Sequence, residues 1–235
     1  MSTQMPRFVF ACSRPWGLEA FQRHRPRLPG QWTVVTAKAD LSLGMLQALQ
    51  PRYVFFPHWS WIVPDEITKA FECVCFHMTD VPFGRGGSPL QNLIARGMRE
   101  TRLSALRMTS RPDAGPVYEK RPLDLSGSAE EIYRRAMEIT LDSVAWIVEA
   151  EPEPVSQSGE VTVFPRRRPE QSALPVGGSL ESIYDHIRML DAPGYPHAFV
   201  DHGSWRLTMT GADREDDHLV AQVRITRRET EDDGQ

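Results

Sequence analysis

Residues 73–87 read CVCFHMTDVPFGRGG, and this stretch decides how the chain is expected to fold. The apolar run Cys73–Phe76 predicts a buried strand that delivers His77 at its carboxyl end. A loop with two glycines follows, and a second strand is predicted to end at Asp113 in a tight Asp-Ala-Gly turn. An imidazole and a carboxylate at strand ends, beside glycine-bearing loops, are typical of a general acid/base pair.

The wider pattern predicts an α/β protein with a doubly wound, mostly parallel sheet, because apolar strand-like runs alternate with helix-like segments. Ser128–Glu149 is the clearest helix, since Ser128 is followed three residues later by Glu131, as in a capping box. We divide the chain into a catalytic domain (1–150), a linker (151–178) and a small C-terminal α+β element (179–235). The charged tail Glu229–Gln235 is expected to fray.

The central motifs resemble the formyltransferase family that uses 10-formyltetrahydrofolate, which includes methionyl-tRNA formyltransferase and the sugar-nucleotide N-formyltransferases. That family carries Asn-x-His, then a Leu-Pro-x-x-Arg-Gly-x-x-Pro loop, and later Asp-x-Gly. The corresponding residues here are Cys75-x-His77, Val81-Pro82-x-x-Arg85-Gly86-x-x-Pro89 and Asp113-Ala114-Gly115. Weaker similarity extends to Phe55–Pro64, to Pro165–Arg167 and to the segment from Ile187 to Phe199.

The resemblance implies a Rossmann-like formyltransferase fold and assigns roles to particular residues. His77 would be the acid/base group, Asp113 would orient it, and Cys75 would stand at the third catalytic position. The implied folate-binding residues are Phe56, His58, Trp59, Trp61, Ile62 and Asp113. The implied acceptor-binding residues are Met78, Thr79, Arg85, Gly86 and Asn92, although Arg85 is slightly better interpreted as bracing its loop.

Cys75 departs from the family pattern, because it replaces an Asn whose amide helps hold the formyl oxygen. A thiol is a much poorer hydrogen-bond donor, so another group must stabilise the negative charge that develops there. The candidates are the side chains of His58 and Asn92 and a backbone N–H. The alternative is an inactive, folate-binding homologue.

The composition limits which binding partners and which cellular location are expected. The 235 residues carry a net charge of −4, which provides no chain-wide basic field for nucleic acid and argues against a tRNA partner. The C-terminal segment is also short for the barrel of methionyl-tRNA formyltransferase, which argues the same way. Cys12, Cys73 and Cys75 are expected to be reduced, and no metal site is expected because Cys73 and Cys75 are taken to face opposite sides of their strand. No apolar run suggests a membrane span, so a cytoplasmic protein is expected.

The resulting hypothesis is transfer of a formyl group from 10-formyltetrahydrofolate to a small-molecule primary amine. An amino sugar is favoured, either nucleotide-linked or a nonulosonic-acid precursor in surface-glycan biosynthesis, by similarity to the pseudaminic-acid type of enzyme. The alternatives are an amino acid or hydroxylamine, methionyl-tRNA, and a non-catalytic folate-binding protein. The strands expected near the C-terminus also suggest a homodimer.

Overall fold

The computed structural model describes residues 5–228. Eleven strands lie in this range: β1 Arg7–Ala11, β2 Gln31–Val35, β3 Tyr53–Phe56, β4 Cys73–His77, β5 Arg85–Gly86, β6 Glu100–Arg107, β7 Val117–Asp124, β8 Val163–Phe164, β9 Ala198–His202, β10 Trp205–Arg214 and β11 Leu219–Arg227. Six α-helices join them: α1 Pro15–His24, α2 Leu43–Leu49, α3 Asp65–Ala70, α4 Pro89–Ile94, α5 Ala129–Ala150 and α6 Leu180–Arg188. The predicted tail at 229–235 lies outside the described residues.

The main sheet has six strands in the order β2-β1-β3-β4-β6-β7. Its first four strands are parallel, whereas β6 and β7 run antiparallel to their neighbours. The predicted α/β fold with a mostly parallel sheet is therefore confirmed. The predicted second strand ending at Asp113 is wrong, because β6 ends at Arg107, which pairs with Val74.

Helix α5 covers one face of the sheet and carries much of the core. Ser128 caps its start, with the Ser128 side chain accepting from the Glu131 N–H and the Glu131 carboxylate accepting from the Ser128 N–H. Its apolar residues recur at helical spacing and are buried, including Ile132, Ala136 and Val144, each 0% exposed. The helix therefore holds the central strands in fixed positions beneath the loops that follow them.

Three further features complete the fold. The short strands β5 and β8 pair in parallel and join the glycine loop to the segment before Arg166. Strands β9–β11 form a separate antiparallel sheet in the order β11-β10-β9, and α6 contacts it. Several apolar side chains of this sheet are exposed, among them Val223 (51%) and Ile225 (62%).

The division into domains and the homodimer, both expected from the sequence, stay predictions. Within residues 5–228, no helix combines the length and the apolar character that a bilayer span needs.

Candidate active site

A cavity of about 620 Å³ lies above the carboxyl end of β4. The loops after β1 and β3 and the segments 86–89, 166–169 and 194–196 surround it. Parallel strands place their carboxyl ends at one edge of a sheet, which is where α/β proteins bind ligands. The residues predicted for the site that line this cavity are Phe56, His58, Trp59, Trp61, Cys75, His77, Met78, Gly86 and Asp113.

His77 and Asp113 meet in this cavity. His77 is the last residue of β4 and is 7% exposed, and its Nδ1 atom lies 3.5 Å from Oδ1 of Asp113. Its other ring nitrogen, Nε2, lies 2.8 Å from the carbonyl oxygen of Gly84. A carbonyl can only accept, so Nε2 carries a hydrogen and Nδ1 is the free nitrogen of the neutral ring. The two groups are thus arranged so that a proton taken up at Nδ1 faces a carboxylate.

Asp113 is held by the loop between β6 and β7. Its second carboxylate oxygen accepts the N–H of Gly86 at 2.9 Å, and its backbone has the left-handed φ of +54°. The Gln157 amide donates to the carbonyl oxygens of Asp113 and Gly115 at 2.8 Å each. A Cβ at Gly115 would lie 1.8 Å from the Arg107 carbonyl oxygen, so the turn requires glycine there. This loop brings Asp113 to His77 although β6 itself runs the opposite way to β4.

Cys75 lines the cavity beside this pair. Burial raises the pKa of its thiol, and the nearby negative charge of Asp113 raises it further, so the group is a neutral thiol rather than a nucleophilic thiolate. The expectation that Cys73 and Cys75 face opposite sides is wrong, because residues two apart on a strand share a face. Both contact the same apolar cluster. Among residues 5–228 there is no cluster of three or more His, Cys, Asp or Glu side chains suited to a metal ion.

An aromatic and apolar wall forms one side of the cavity. Trp59 and Trp61 pack edge to face with ring centroids 4.8 Å apart, and Phe56 packs edge to face against Trp59 at 5.9 Å. The indole N–H of Trp59 is buried without a hydrogen-bond partner among the described residues. Ile62, predicted to line this wall, is 92% exposed and lies outside the cavity. Val63 points inward instead and is 6% exposed.

His58 sits between this wall and a second aromatic group. Its ring packs edge to face on Trp16 (4.7 Å) and Tyr133 (5.6 Å), and its backbone has φ of +48°. Burial, and secondarily the positive charge of Arg14, lowers the pKa of His58 to about 4. The ring is therefore neutral near pH 7 and offers one N–H and one acceptor nitrogen.

Three residues predicted to bind the acceptor serve the structure instead. Thr79 is fully buried, and its hydroxyl donates to the Gly84 carbonyl at 3.3 Å. Arg85 donates twice to the Gln157 side chain, at 3.1 and 2.7 Å, which matches the loop-bracing interpretation. The Asn92 amide nitrogen donates to three backbone carbonyls, and its oxygen accepts from Arg96. None of the three lines the cavity, so Asn92 is not the missing oxyanion donor.

The cavity also contains residues that the sequence patterns do not assign to it. They include Arg14, Val63, Met108, Tyr133, Arg166, Arg167, Arg168 and Tyr195. Only Arg14 has a usable signal, since the turn directly after the first strand is expected to border the cleft. The run Arg166–Arg168 resembles a solvated basic turn in sequence, and its position at the cavity depends on the pairing of β8 with β5.

Comparison with known proteins agrees with this geometry. A solved structure named methionyl-tRNA formyltransferase from Clostridium thermocellum is 43% identical, with a TM-score of 0.93, and the match covers 95% of this chain and 100% of that chain. Methionyl-tRNA formyltransferase of Bacillus mycoides (strain KBAB4) is 27% identical over 153 residues, which are 61% of this chain and 49% of that protein. The chain thus spans about half the length of the curated relatives it matches.

Two more matches concern the C-terminal part and the fold. Residues 169–226 match the family described as the C-terminal domain of methionyl-tRNA formyltransferase. The argument from the short C-terminal segment against a tRNA partner is therefore not supported. HypX from Aquifex aeolicus in complex with tetrahydrofolic acid shares the fold, with a TM-score of 0.73 and 18% identity over 89% of this chain and 38% of that chain. The full-length match at 43% identity shows that this chain belongs to the formyltransferase family.

Proposed function

We propose that this protein transfers a formyl group from 10-formyltetrahydrofolate to a primary amine. The observation that carries the proposal is the pairing of His77 Nδ1 with Asp113 Oδ1 at 3.5 Å inside the main cavity. Both residues occupy positions of the family motif, and each is held by a hydrogen bond of its own: His77 Nε2–H donates to the Gly84 carbonyl, and the Gly86 N–H donates to Asp113. A pair held in this way can accept and return a proton without rearrangement.

His77 would move the proton of the attacking amine. Because Nε2–H is engaged with the Gly84 carbonyl, the lone pair of the neutral ring is on Nδ1, and that atom takes the proton. The resulting imidazolium lies against the Asp113 carboxylate, whose charge stabilises it. In this scheme the Gly84 carbonyl holds the neutral ring, and Asp113 orients the ring once Nδ1 carries the proton and can donate to the carboxylate.

The aromatic wall suits the flat ring system of a folate. Phe56, Trp59 and Trp61 offer ring faces and edges. The indole N–H of Trp59, which has no partner within residues 5–228, offers one donor for a polar ring edge. When bound, the folate supplies a formyl group activated toward an amine nucleophile. Val63 and Met108 close this side of the cavity with apolar surface, which limits access of water to the reacting groups.

His58 is our candidate for the donor that the family Asn would otherwise supply. It lines the cavity, and its lowered pKa keeps it neutral with one N–H near pH 7. Asn92 is fully engaged elsewhere, and the Cys75 thiol donates weakly. A neutral donor aimed at a developing negative charge is the arrangement of an oxyanion hole.

For the acceptor, we propose the amine of methionyl-tRNA as the first candidate. The full-length relative at 43% identity has that name, and residues 169–226 match the corresponding C-terminal domain. An amino sugar is the second candidate, favoured by the net charge of −4 and by a cavity of about 620 Å³, which is of the size that encloses small molecules.

The test is turnover of 10-formyltetrahydrofolate, followed by absorbance, with methionyl-tRNA and with a panel of nucleotide-linked and free amino sugars and amino acids. Formylated product with either class, lost in His77→Ala, supports the proposal. Folate binding without turnover on the whole panel would contradict it and indicate a non-catalytic homologue.

A further inference from the structure

Gln157 makes four side-chain hydrogen bonds that the sequence motifs do not predict. It lies in the extended segment between α5 and β8, and its side chain is half-buried. The amide nitrogen donates to the carbonyl oxygens of Asp113 and Gly115 at 2.8 Å each. The amide oxygen accepts two hydrogen bonds from the Arg85 guanidinium, at 3.1 and 2.7 Å. One side chain therefore joins the turn that carries Asp113 to the glycine loop.

The neighbours of Gln157 determine which way its amide faces. A guanidinium can only donate and a carbonyl can only accept, so the amide oxygen faces Arg85 and the amide nitrogen faces the turn. The reversed amide would set donor against donor and acceptor against acceptor. Arg85 thus orients Gln157, and Gln157 in turn holds the backbone of the turn.

Contacts from outside the loop 108–116 hold the Asp113 turn. Asp113 has the left-handed φ of +54°, a conformation that is uncommon for residues other than glycine. Within residues 5–228, the carbonyl oxygens of Asp113 and Gly115 accept from no group other than the Gln157 amide. Loss of that amide would leave both carbonyls without their donor and allow the turn to relax.

Asp113 is held at two points by segments that are themselves linked. Its carboxylate accepts the Gly86 N–H at 2.9 Å, and its backbone carbonyl accepts from Gln157. Arg85, the neighbour of Gly86 in β5, holds Gln157 from the other side. The hydrogen bonds therefore close a ring around Asp113, and Gln157 is the member of that ring that reaches the turn backbone.

We propose that Gln157 is a positioning residue, which sets the distance between the Asp113 carboxylate and His77. This inference rests on the proposed function, since it concerns the pair that handles the proton in that reaction. Gln157 and Arg85 lie outside the cavity, so their effect passes through Asp113. The carboxylate stabilises a protonated His77 across 3.5 Å, and this stabilisation weakens as the two groups move apart.

Gln157→Glu is the direct test of this role. The new carboxylate still accepts from Arg85, but an oxygen replaces the donor and faces two carbonyl oxygens. Gln157→Met has a similar length and neither donor nor acceptor, so it removes the same hydrogen bonds without adding charge. Gln22→Glu is the matched control, because Gln22 is exposed on α1 outside the cavity and the variant adds the same charge.

Amide hydrogen exchange, followed by NMR, reports the position of the carboxylate without catalysis. The Gly86 N–H donates to Asp113, whereas the Gly87 N–H donates to the Phe164 carbonyl at 3.0 Å. We expect Gly86 to exchange about tenfold faster or more in both Gln157 variants, and Gly87 to keep its wild-type rate. The control Gln22→Glu should change neither rate. Unchanged exchange at Gly86, or equal acceleration at Gly86 and Gly87, would overturn the proposal.

Steady-state kinetics show whether Gln157 acts through Asp113. We expect Gln157→Glu to lower kcat by about tenfold or more, with the KM for the folate within about twofold, because small misplacements at a reacting centre are costly. In an Asp113→Asn background the same substitution should change kcat by less than about twofold, since the charge that it positions is already absent. Losses that multiply in the double variant would overturn the proposal.

The two measurements keep this inference separate from the proposed function. Faster exchange at Gly86 alone in the Gln157 variants of a protein that forms no product supports the positioning role and refutes formyl transfer. Product formation by the wild type, with no response of Gly86 to either variant, refutes the positioning role alone. Circular dichroism of each variant confirms that the fold is intact before rates are compared.

Discussion

Two groups of cavity residues differ in how the sequence encodes them. His77 and Asp113 belong to sequence motifs with fixed spacing, and the structure brings them within 3.5 Å of each other. Arg14, Tyr195 and residues 166–168 come from three segments far apart in the chain. The comparison teaches that groups expected to do the chemistry follow local motifs, whereas groups suited to bind the acceptor are brought together only by tertiary structure.

His77→Ala is the sharpest way to break this comparison. Without the imidazole no group is placed to take the proton of the amine, and we expect kcat/KM to fall by about 10³-fold or more. The measurement is the rate of 10-formyltetrahydrofolate consumption with a productive acceptor. A variant with nearly wild-type turnover would refute the assigned role.

Asp113→Asn should have the next largest effect. Asn tolerates the left-handed φ of +54° and can still accept the Gly86 N–H, so the loop is expected to keep its shape. The charge that stabilises a protonated His77 is lost, and we expect kcat to fall by about 10²-fold or more. Steady-state kinetics that show a change in KM alone would mean that Asp113 binds ligand rather than orienting His77.

His58 lines the same cavity, and its environment predicts a pH effect on stability. The folded ring has a pKa of about 4 against 6.5 for the ordinary group, so the unfolded chain binds more protons between these values. The free energy of unfolding should therefore fall as the pH drops from 6.5 to 4, by about 3 kcal/mol at most. Full stability is present above pH 6.5.

The matched variant for this effect is His58→Asn, since Asn accepts the positive φ at this position. Urea unfolding at several pH values should show a smaller loss of stability toward pH 4 in His58→Asn than in the wild type. Parallel curves for the two proteins would show that the pKa of His58 does not change on folding.

Cys75→Asn should have the smallest effect, and it sharpens the comparison for the residues that belong to the motifs. It restores the amide found in the family pattern, so we expect activity within about threefold of the wild type, or higher. The readout is again folate turnover, with thermal unfolding as the check on folding. Loss of folding would show that the thiol is a packing group that the cavity cannot exchange for an amide.

The sequence predicted the alternating α/β elements well because they have local patterns. The predicted strand Cys73–Phe76 lies within β4, and Ser128 marks the start of α5 through its capping box. The sequence did not predict where β6 ends or that it is antiparallel. Its direction depends on pairing with β4, which is a contact between distant segments. The loop that returns Asp113 to His77 could not be inferred from either strand alone.

The predictions of individual site residues were wrong for a different reason, because the sequence does not show in which direction a side chain points. Ile62 and Val63 are adjacent and both apolar, yet Ile62 is exposed and Val63 faces the cavity. Thr79 and Asn92 have functional groups suited to binding, but backbone carbonyls accept their hydrogens, that of Gly84 from Thr79 and those of nearby residues and of Pro165 from Asn92. Nothing in a residue type shows whether a neighbouring carbonyl needs a donor.

The pairing of β5 with β8 has a consequence for the design of chimaeras. Gly86, at the end of β5, holds Asp113 through its N–H, while Phe164, its partner in β8, lies two residues before Arg166. The β5–β8 pairing therefore links the segment that carries the arginines directly to the loop that holds the Asp113 carboxylate. Exchanging residues 163–172 for those of a relative would shift Gly86 as well, so a change of acceptor by grafting must transplant both pieces together.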